Sequence, residues 1–257
     1  MSLKSLLSAA VLSGLLSTPA LADVVLASDN FNSYANGAIA GANGGTGWAG
    51  GWTGTSAASV NGGALQISGN GDNLATRLLS APVTGNVIVR FDFTLSAGSL
   101  QDNDFLALWF GSPTGSAAGP NIGLKANCGA GCSNDLFVRT NGSDAGGNLQ
   151  NVAAGTTYSL MGYLQKTASS SVYNRFDFWV NPSAEEIATL TGSDAFDTGN
   201  ASIGSFSRIG FRGANLDSGD VIRIDNLRIS EVPEPGILAL LGLSLAGLAL
   251  VSRRRQR

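Results

Sequence analysis

Histidine is absent from the chain. That absence removes the side chain most often used as a general base near neutral pH. Ser-His-Asp and Cys-His mechanisms go with it. Cysteine is nearly absent: only Cys128 and Cys132 occur. A disulfide-rich scaffold is therefore excluded, and so is a zinc centre, which needs more His or Cys ligands than the chain holds. Glutamate is scarce between Asp23 and Val232, where only Glu185, Glu186 and Glu231 are found. Basic residues are scarce there too. With Lys4 and Arg253, Arg254, Arg255 and Arg257 set aside, ten Lys and Arg stand against seventeen Asp and Glu, a net charge of −7. An acidic body without a basic stripe or an aromatic RNP-like motif is a poor partner for nucleic acid. No repeat of roughly 20 to 50 residues is visible, which excludes propellers and solenoids.

What is present begins with an apolar segment at each end. Residues 1–22 read MSLKSLLSAAVLSGLLSTPALA. Lys4 supplies a positive n-region, Leu6 to Leu16 a short apolar h-region, and Ala20 and Ala22 the two small residues that a signal peptidase reads. The run is too short for a permanent anchor. The expectation is a secretory signal cut after Ala22, leaving Asp23 as the new N-terminus.

At the other end, Gly236 to Val251 are sixteen residues drawn only from Gly, Ala, Ser, Leu, Ile and Val. As a helix they would span about 24 Å, against a hydrocarbon core of about 30 Å. Arg253, Arg254 and Arg255 follow at once, with Arg257. Such a cluster is retained on the cytoplasmic side. The expectation is a transmembrane helix over 236–251 with the body outside. Directly before it stand Val232-Pro233-Glu234-Pro235. Motif, apolar helix and basic cluster, in that order, resemble a PEP-CTERM sorting domain over residues 232–257. The resemblance implies cleavage near Pro233-Glu234-Pro235 by an exosortase, a membrane-embedded cysteine transpeptidase. It also implies passage to the cell surface or beyond, in Gram-negative bacteria that make extracellular polysaccharide. Two prolines resist helix and sheet pairing, so the motif should stay extended.

Residues 23–231 remain as one domain of ordinary size for an all-β fold. Val87 to Leu95, VIVRFDFTL, alternates with Val87, Val89, Phe91, Phe93 and Leu95 on one face. Arg175 to Val180 alternates likewise, and Phe105 to Phe110, FLALWF, is a nearly continuous apolar run, as in a core strand. Further strands are expected over 64–68, 136–140, 158–166, 206–212 and 221–230, with Gly, Asn, Ser and Asp turns between them. Only 183–190 has helix character: Ser183 can cap, and Glu186 lies three residues on. The fold class predicted is an all-β, two-sheet antiparallel sandwich or jelly roll. Within Cys128-Gly-Ala-Gly-Cys132, an exported chain should form a local disulfide, worth about 2 kcal/mol for so small a loop, with free thiols the alternative.

Asp29-Asn30-Phe31, Gly44-Gly45-Thr46-Gly47-Trp48, Gly51-Trp52 and Ile224-Asp225-Asn226-Leu227-Arg228-Ile229 resemble the opening and closing strands of LamG-like, concanavalin A-like domains. The resemblance implies a jelly roll closed by pairing of its first and last strands. Hydrolases on this fold place two carboxylates on one strand, in a run resembling Glu-x-Asp-x-x-Glu. That run is missing here, and Asp177 is left as a lone acid on an outer face. No catalytic residues are assigned. Asp102-Asn103-Asp104 offers oxygen ligands for Ca²⁺, as some LamG-like rims do, but short Asp/Asn runs are more often turns, so no cofactor is expected. Trp109 reads as core, Trp48 and Trp52 as edge cover, and Trp179, opposite in phase to Phe176 and Phe178, as the candidate stacking face for a sugar. The function expected is a non-catalytic surface or matrix protein associated with extracellular polysaccharide or biofilm. The alternative is a secreted glycan hydrolase or lyase.

Overall fold

The computed structural model describes residues 23–101, 103–111, 119–126, 135–141, 148–167 and 169–232. The expectations on 1–22, Asp102, Cys128, Cys132 and 233–257 fall outside them.

Among the described residues, sixteen strands and one short helix follow in order: β1 (Val24–Asp29), β2 (Gly37–Ala38), β3 (Thr53–Gly54), β4 (Ala58–Asn61), β5 (Ala64–Ile67), β6 (Gly71–Val83), β7 (Asn86–Ala97), β8 (Phe105–Phe110), β9 (Asn121–Lys125), β10 (Leu136–Arg139), β11 (Asn148–Leu149), β12 (Thr157–Gln165), β13 (Arg175–Val180), α1 (Ala184–Thr189), β14 (Ala195–Thr198), β15 (Phe206–Ala214) and β16 (Val221–Val232). They form two antiparallel sheets. One runs β14-β13-β12-β7-β16-β5-β4-β2, with β1 also on β16, and the other β11-β10-β9-β8-β15-β6-β3. First and last strands pair, Val24 opposite Glu231 and Asp29 opposite Leu227.

The core lies between the sheets because alternate residues of each strand turn inward. Val87, Val89, Phe91, Phe93 and Leu95 of β7 meet Leu106, Leu108 and Phe110 of β8 in one buried cluster. Phe91 stands edge-on to Phe211 across the interface at 6.3 Å, and Phe110 likewise to Phe176 at 5.7 Å. Each such ring contributes roughly 1.5–3 kcal/mol by burial. β8 is buried throughout, as its continuous apolar run requires.

The helix is held by the expected capping box. Glu186 N–H donates to Ser183 Oγ at 3.2 Å, and Ser183 N–H donates to Glu186 Oε2 at 2.7 Å. Leu190 ends it in the left-handed region at φ 54°. The strand β6 has no counterpart in the expectations. Its alternation is broken by Asp72, Asn73, Arg77 and Pro82, and one of these, Arg77, points inward.

Candidate functional site

The opening motif builds a buried polar hub rather than a binding cleft. Asp29 ends β1, and its carboxylate accepts from Phe31 N–H (2.9 Å), Tyr34 Oη (2.5 Å), Trp52 Nε1 (2.8 Å) and Arg77 Nη1 (2.6 Å). Arg77 also donates to Gly50 O and Asn43 Oδ1, and its guanidinium lies 4.9 Å from the Trp48 ring and 5.5 Å from the Trp52 ring. Burial, then the bond to Asp29, pushes the Tyr34 hydroxyl above its ordinary pKa. The glycines between have a steric reason. Gly45 (φ +69°) and Gly47 (φ +81°) cross the β1 backbone, where a Cβ would lie 2.2 Å from Ser28 O and 1.8 Å from Leu26 O respectively. Trp48 and Trp52 therefore clamp a structural cation, and Trp52 is only 1 % exposed. They join the body's structure as expected, though by stacking on Arg77 rather than by covering an edge.

Trp179 corrects an expectation. It does face away from Phe176 and Phe178, but it is fully buried. It packs with Ile88, Met161 and Val232 beneath Ile187 and Leu190 of the helical segment, and its Nε1 donates to Thr191 O at 3.1 Å. An indole covered on its outer face and hydrogen-bonded to the chain cannot stack on a sugar. The alternation gave the right face, but the helix that folds over it is a tertiary event.

Asp177 is likewise held in place. Its carboxylate accepts from Arg175 Nη2 at 2.6 Å, from Gln165 Nε2 and from Ser193 Oγ. The guanidinium of Arg175 is raised above its ordinary pKa chiefly by that bond. Asp104 is buried and accepts Gln101 N–H at 2.5 Å. Burial first, and then the neighbouring Asp220 and Asp217 carboxylates, raise its pKa. Among the described residues, no group of three or more His, Cys, Asp or Glu is placed to hold a metal ion.

The outer face of the seven-stranded sheet is different. The register sets Arg139, Asn121, Trp109 and Gly210 in one row, and Phe137, Gly123, Ala107 and Arg212 in the next. Lys125 and Phe105 continue the face. Small residues occupy the middle, while aromatics and cations flank them. The Arg212 guanidinium lies 5.4 Å from the Phe105 ring and the Arg139 guanidinium 4.4 Å from the Phe137 ring. Lys125 is lowered in pKa by burial and then by Arg139, so the two cations sense each other. Asp72 is bonded to Arg212 at 2.6 Å.

Two buried polar atoms of this face have no hydrogen-bond partner: Trp109 Nε1 and Asn121 Oδ1, on residues 1 % and 0 % exposed. Orphaned buried groups of this kind are rare and cost about 1–3 kcal/mol each. Trp109 is buried in the core as expected, in a second cluster with Phe105, Ala107 and Phe137 on the sheet's far side from Leu108 and Phe110. The β8–β10 side of the face is closed, whereas the β15–β6 side is open, with Arg208 exposed and Leu78 44 % exposed. There Thr53, Thr76, Leu78 and Arg208 line a recess of about 100 Å³ that runs down to Arg77. It is smaller than an enclosed small-molecule pocket of about 300–1,000 Å³. Sequence reasoning missed the face because its cations lie on three strands far apart in the chain.

Residues 231–255 match the PEP-CTERM protein-sorting motif. The PEP-CTERM segment thus starts within β16 and takes in the Pro-Glu-Pro sequence, the apolar run and the arginines. The described part of the chain is similar in structure to alginate lyase Aly36B, at 15 % identity and a TM-score of 0.50 over 82 % of this chain and 100 % of that one. A mutant of that lyase in complex with alginate trisaccharide aligns at 14 % identity and 0.51, over 82 % and 99 %. The carbohydrate recognition domain of Emp47p aligns at 9 % identity and 0.50, over 81 % and 96 %. At these identities the likeness establishes the fold, a two-sheet jelly roll, and nothing about chemistry. No curated protein sequence matches the chain.

Proposed function

We propose that this is an exported, non-catalytic surface or matrix protein, sorted by an exosortase-type system, whose body binds extracellular polysaccharide. The signal sequence over 1–22, the transmembrane helix over 236–251 and the arginines at 253–255 belong to this reading. The motif match over 231–255 supports the sorting half.

One observation carries the binding half. In an acidic body, the open β15–β6 side of one sheet face presents Arg208 and Arg212 beside the recess lined by Thr53, Thr76 and Leu78. Cations on a shallow face fit an acidic polysaccharide whose carboxylates recur along the chain, and guanidinium groups can grip them through two bonds at once. The lectin-like and lyase-like relatives in fold are compatible with a glycan ligand. The absence of His and of a paired carboxylate on that face, among the described residues, favours binding over hydrolysis.

The test is affinity electrophoresis of the protein through gels containing alginate, a neutral glucan or no polymer. Retardation by alginate alone is expected, weakening as salt rises. It should be reduced severalfold in Arg208→Glu and in Arg212→Ala. Equal mobility in all three gels refutes the reading, and release of reducing or unsaturated ends would replace it with a catalytic one.

A further inference from the structure

The recess on the open β15–β6 side is held in shape by the fold and has an unused cation at its mouth. β6 forms one wall and residues 49–53 the other. Ala49 N–H donates to Leu78 O at 2.9 Å, Arg77 Nε donates to Gly50 O at 2.8 Å, and Thr53 stands opposite Thr76 where β3 meets β6. The two walls are thus fastened to each other, and the gap between them is set before any ligand arrives.

Most of the lining is apolar or already satisfied. The Thr53 and Thr76 hydroxyls lie 2.5 Å apart, and Thr53 Oγ1 also donates to Thr76 O at 3.3 Å. Arg77 closes the bottom, where Asp29 neutralises it and Gly50, Tyr34 and Asn43 accept its other bonds. Ala49 and Leu78 supply hydrocarbon. Leu78 is 44 % exposed, one of four large apolar side chains so exposed among the described residues. Opposite it in the strand register stands Arg208, also exposed. Arg77, Arg175, Arg212 and Arg228 each hold an aspartate, whereas among the described residues Arg208 holds no carboxylate.

These features select the occupant. A volume of about 100 Å³ is the share of only a few water molecules at about 30 Å³ each, so a sugar ring stays outside and a substituent enters. A charged substituent is disfavoured. The guanidinium at the bottom is already neutralised by Asp29, and a charge taken out of water needs a partner of its own. A hydroxyl would leave the hydrocarbon of Ala49 and Leu78 uncovered. An acetyl group has the right bulk, a methyl for those two side chains, and a carbonyl oxygen that accepts from Arg208 at the mouth. We propose that this recess is a subsite for the O-acetyl groups of an acetylated acidic polysaccharide. This rests on the glycan-binding reading above and deepens it. The polymer's carboxylates meet the cations of the face, and its acetyl esters decide which acidic polymer is preferred.

The experiment is affinity electrophoresis of the protein in gels containing alginate, or the same alginate after chemical O-acetylation. Acetylation leaves the carboxylates in place, so a difference between the gels reports on the ester. The acetylated polymer is expected to retard the protein at a concentration about fourfold lower, the value of one buried methyl-sized group. Ala49→Leu, which narrows the recess, and Leu78→Asn, which removes its apolar wall, should each bring the ratio between the two polymers to one. The urea midpoint of each variant shows that it is folded, and its retardation by plain alginate is its own reference. Equal retardation of the natural protein by both polymers, or stronger retardation by plain alginate, overturns the inference and leaves polysaccharide binding intact. A ratio unchanged in either folded variant also overturns it. No retardation by either polymer overturns both readings.

Discussion

Replacing Asp29 with alanine tests the hub that holds the opening loop to the sheets. Asp29 and Arg77 expose 1 % of their side chains each and meet at 2.6 Å. Removing the carboxylate strands the Arg77 guanidinium between two indoles with no counter-charge. Breaking a buried pair in this way costs about 3–5 kcal/mol. The Trp52 and Phe31 N–H groups also lose their acceptor. Each orphaned donor carries a penalty of about 1–3 kcal/mol, although terms within one network do not simply add. We expect Asp29→Ala to cost about 4 kcal/mol or more. That is a large part of the roughly 5–15 kcal/mol that holds a domain folded. For a domain of this size it corresponds to a fall in Tm of roughly 8–16 °C. The double variant Asp29→Ala with Arg77→Met removes both charges and keeps an apolar stem for the indoles. It should be less destabilised than the two single changes together, because neither charge is left uncompensated. Urea and thermal unfolding followed by tryptophan fluorescence read both quantities, since Trp48 and Trp52 report on the site directly. A cost below about 1 kcal/mol for Asp29→Ala, or strict additivity in the cycle, would refute the assignment of the hub as a coupled buried network.

Three further outcomes are expected. Trp179→Ala should lower stability by about 3–5 kcal/mol, the usual range for a buried Trp, and leave glycan retardation unchanged; loss of binding at unchanged stability would restore Trp179 as a ligand contact. Gly47→Ala should be destabilising by several kcal/mol, since φ is +81° and the new Cβ meets the Leu26 carbonyl, whereas Gly50→Ala, with open space around it, should change the urea midpoint by little. Asp225 has its pKa raised by burial first and by the facing Asp92, so the folded state holds its proton to a higher pH than the unfolded chain does, and its contribution to stability falls as pH rises from about 4 through its folded pKa; the stability advantage of Asp225→Asn over the natural protein should therefore grow with pH over that window, and an advantage that shrinks would show the sign to be wrong.

Strand identity was largely legible because burial on one face writes itself as period-two alternation. Arg175 to Val180 and Phe105 to Phe110 were delimited to the residue. The capping box at Ser183 and Glu186 was also legible, being a local contact three residues long. β6 was not, because its inward Arg77 is neutralised by a carboxylate 48 positions away. A buried charge reads as a surface residue until its partner is known.

By itself the sequence determined the exclusions, the all-β class and the sorting segment. Each is a property of residue types or of order along the chain: no His, alternating apolar positions, Pro-Glu-Pro before an apolar run and arginines. Only the tertiary structure decided which side chains share a face and which are sealed. Trp179 and Trp109 have similar local sequences, FWV and LWF, yet one is sealed under a helix with its N–H bonded to Thr191 O. The other lies on the outer face of the second sheet with its N–H unpaired. The same holds for Arg208, Arg212, Lys125 and Arg139, which stand on three strands and share a face only through sheet register. Register depends on long-range pairing and on the bulges that shift it, and no local pattern carries that information.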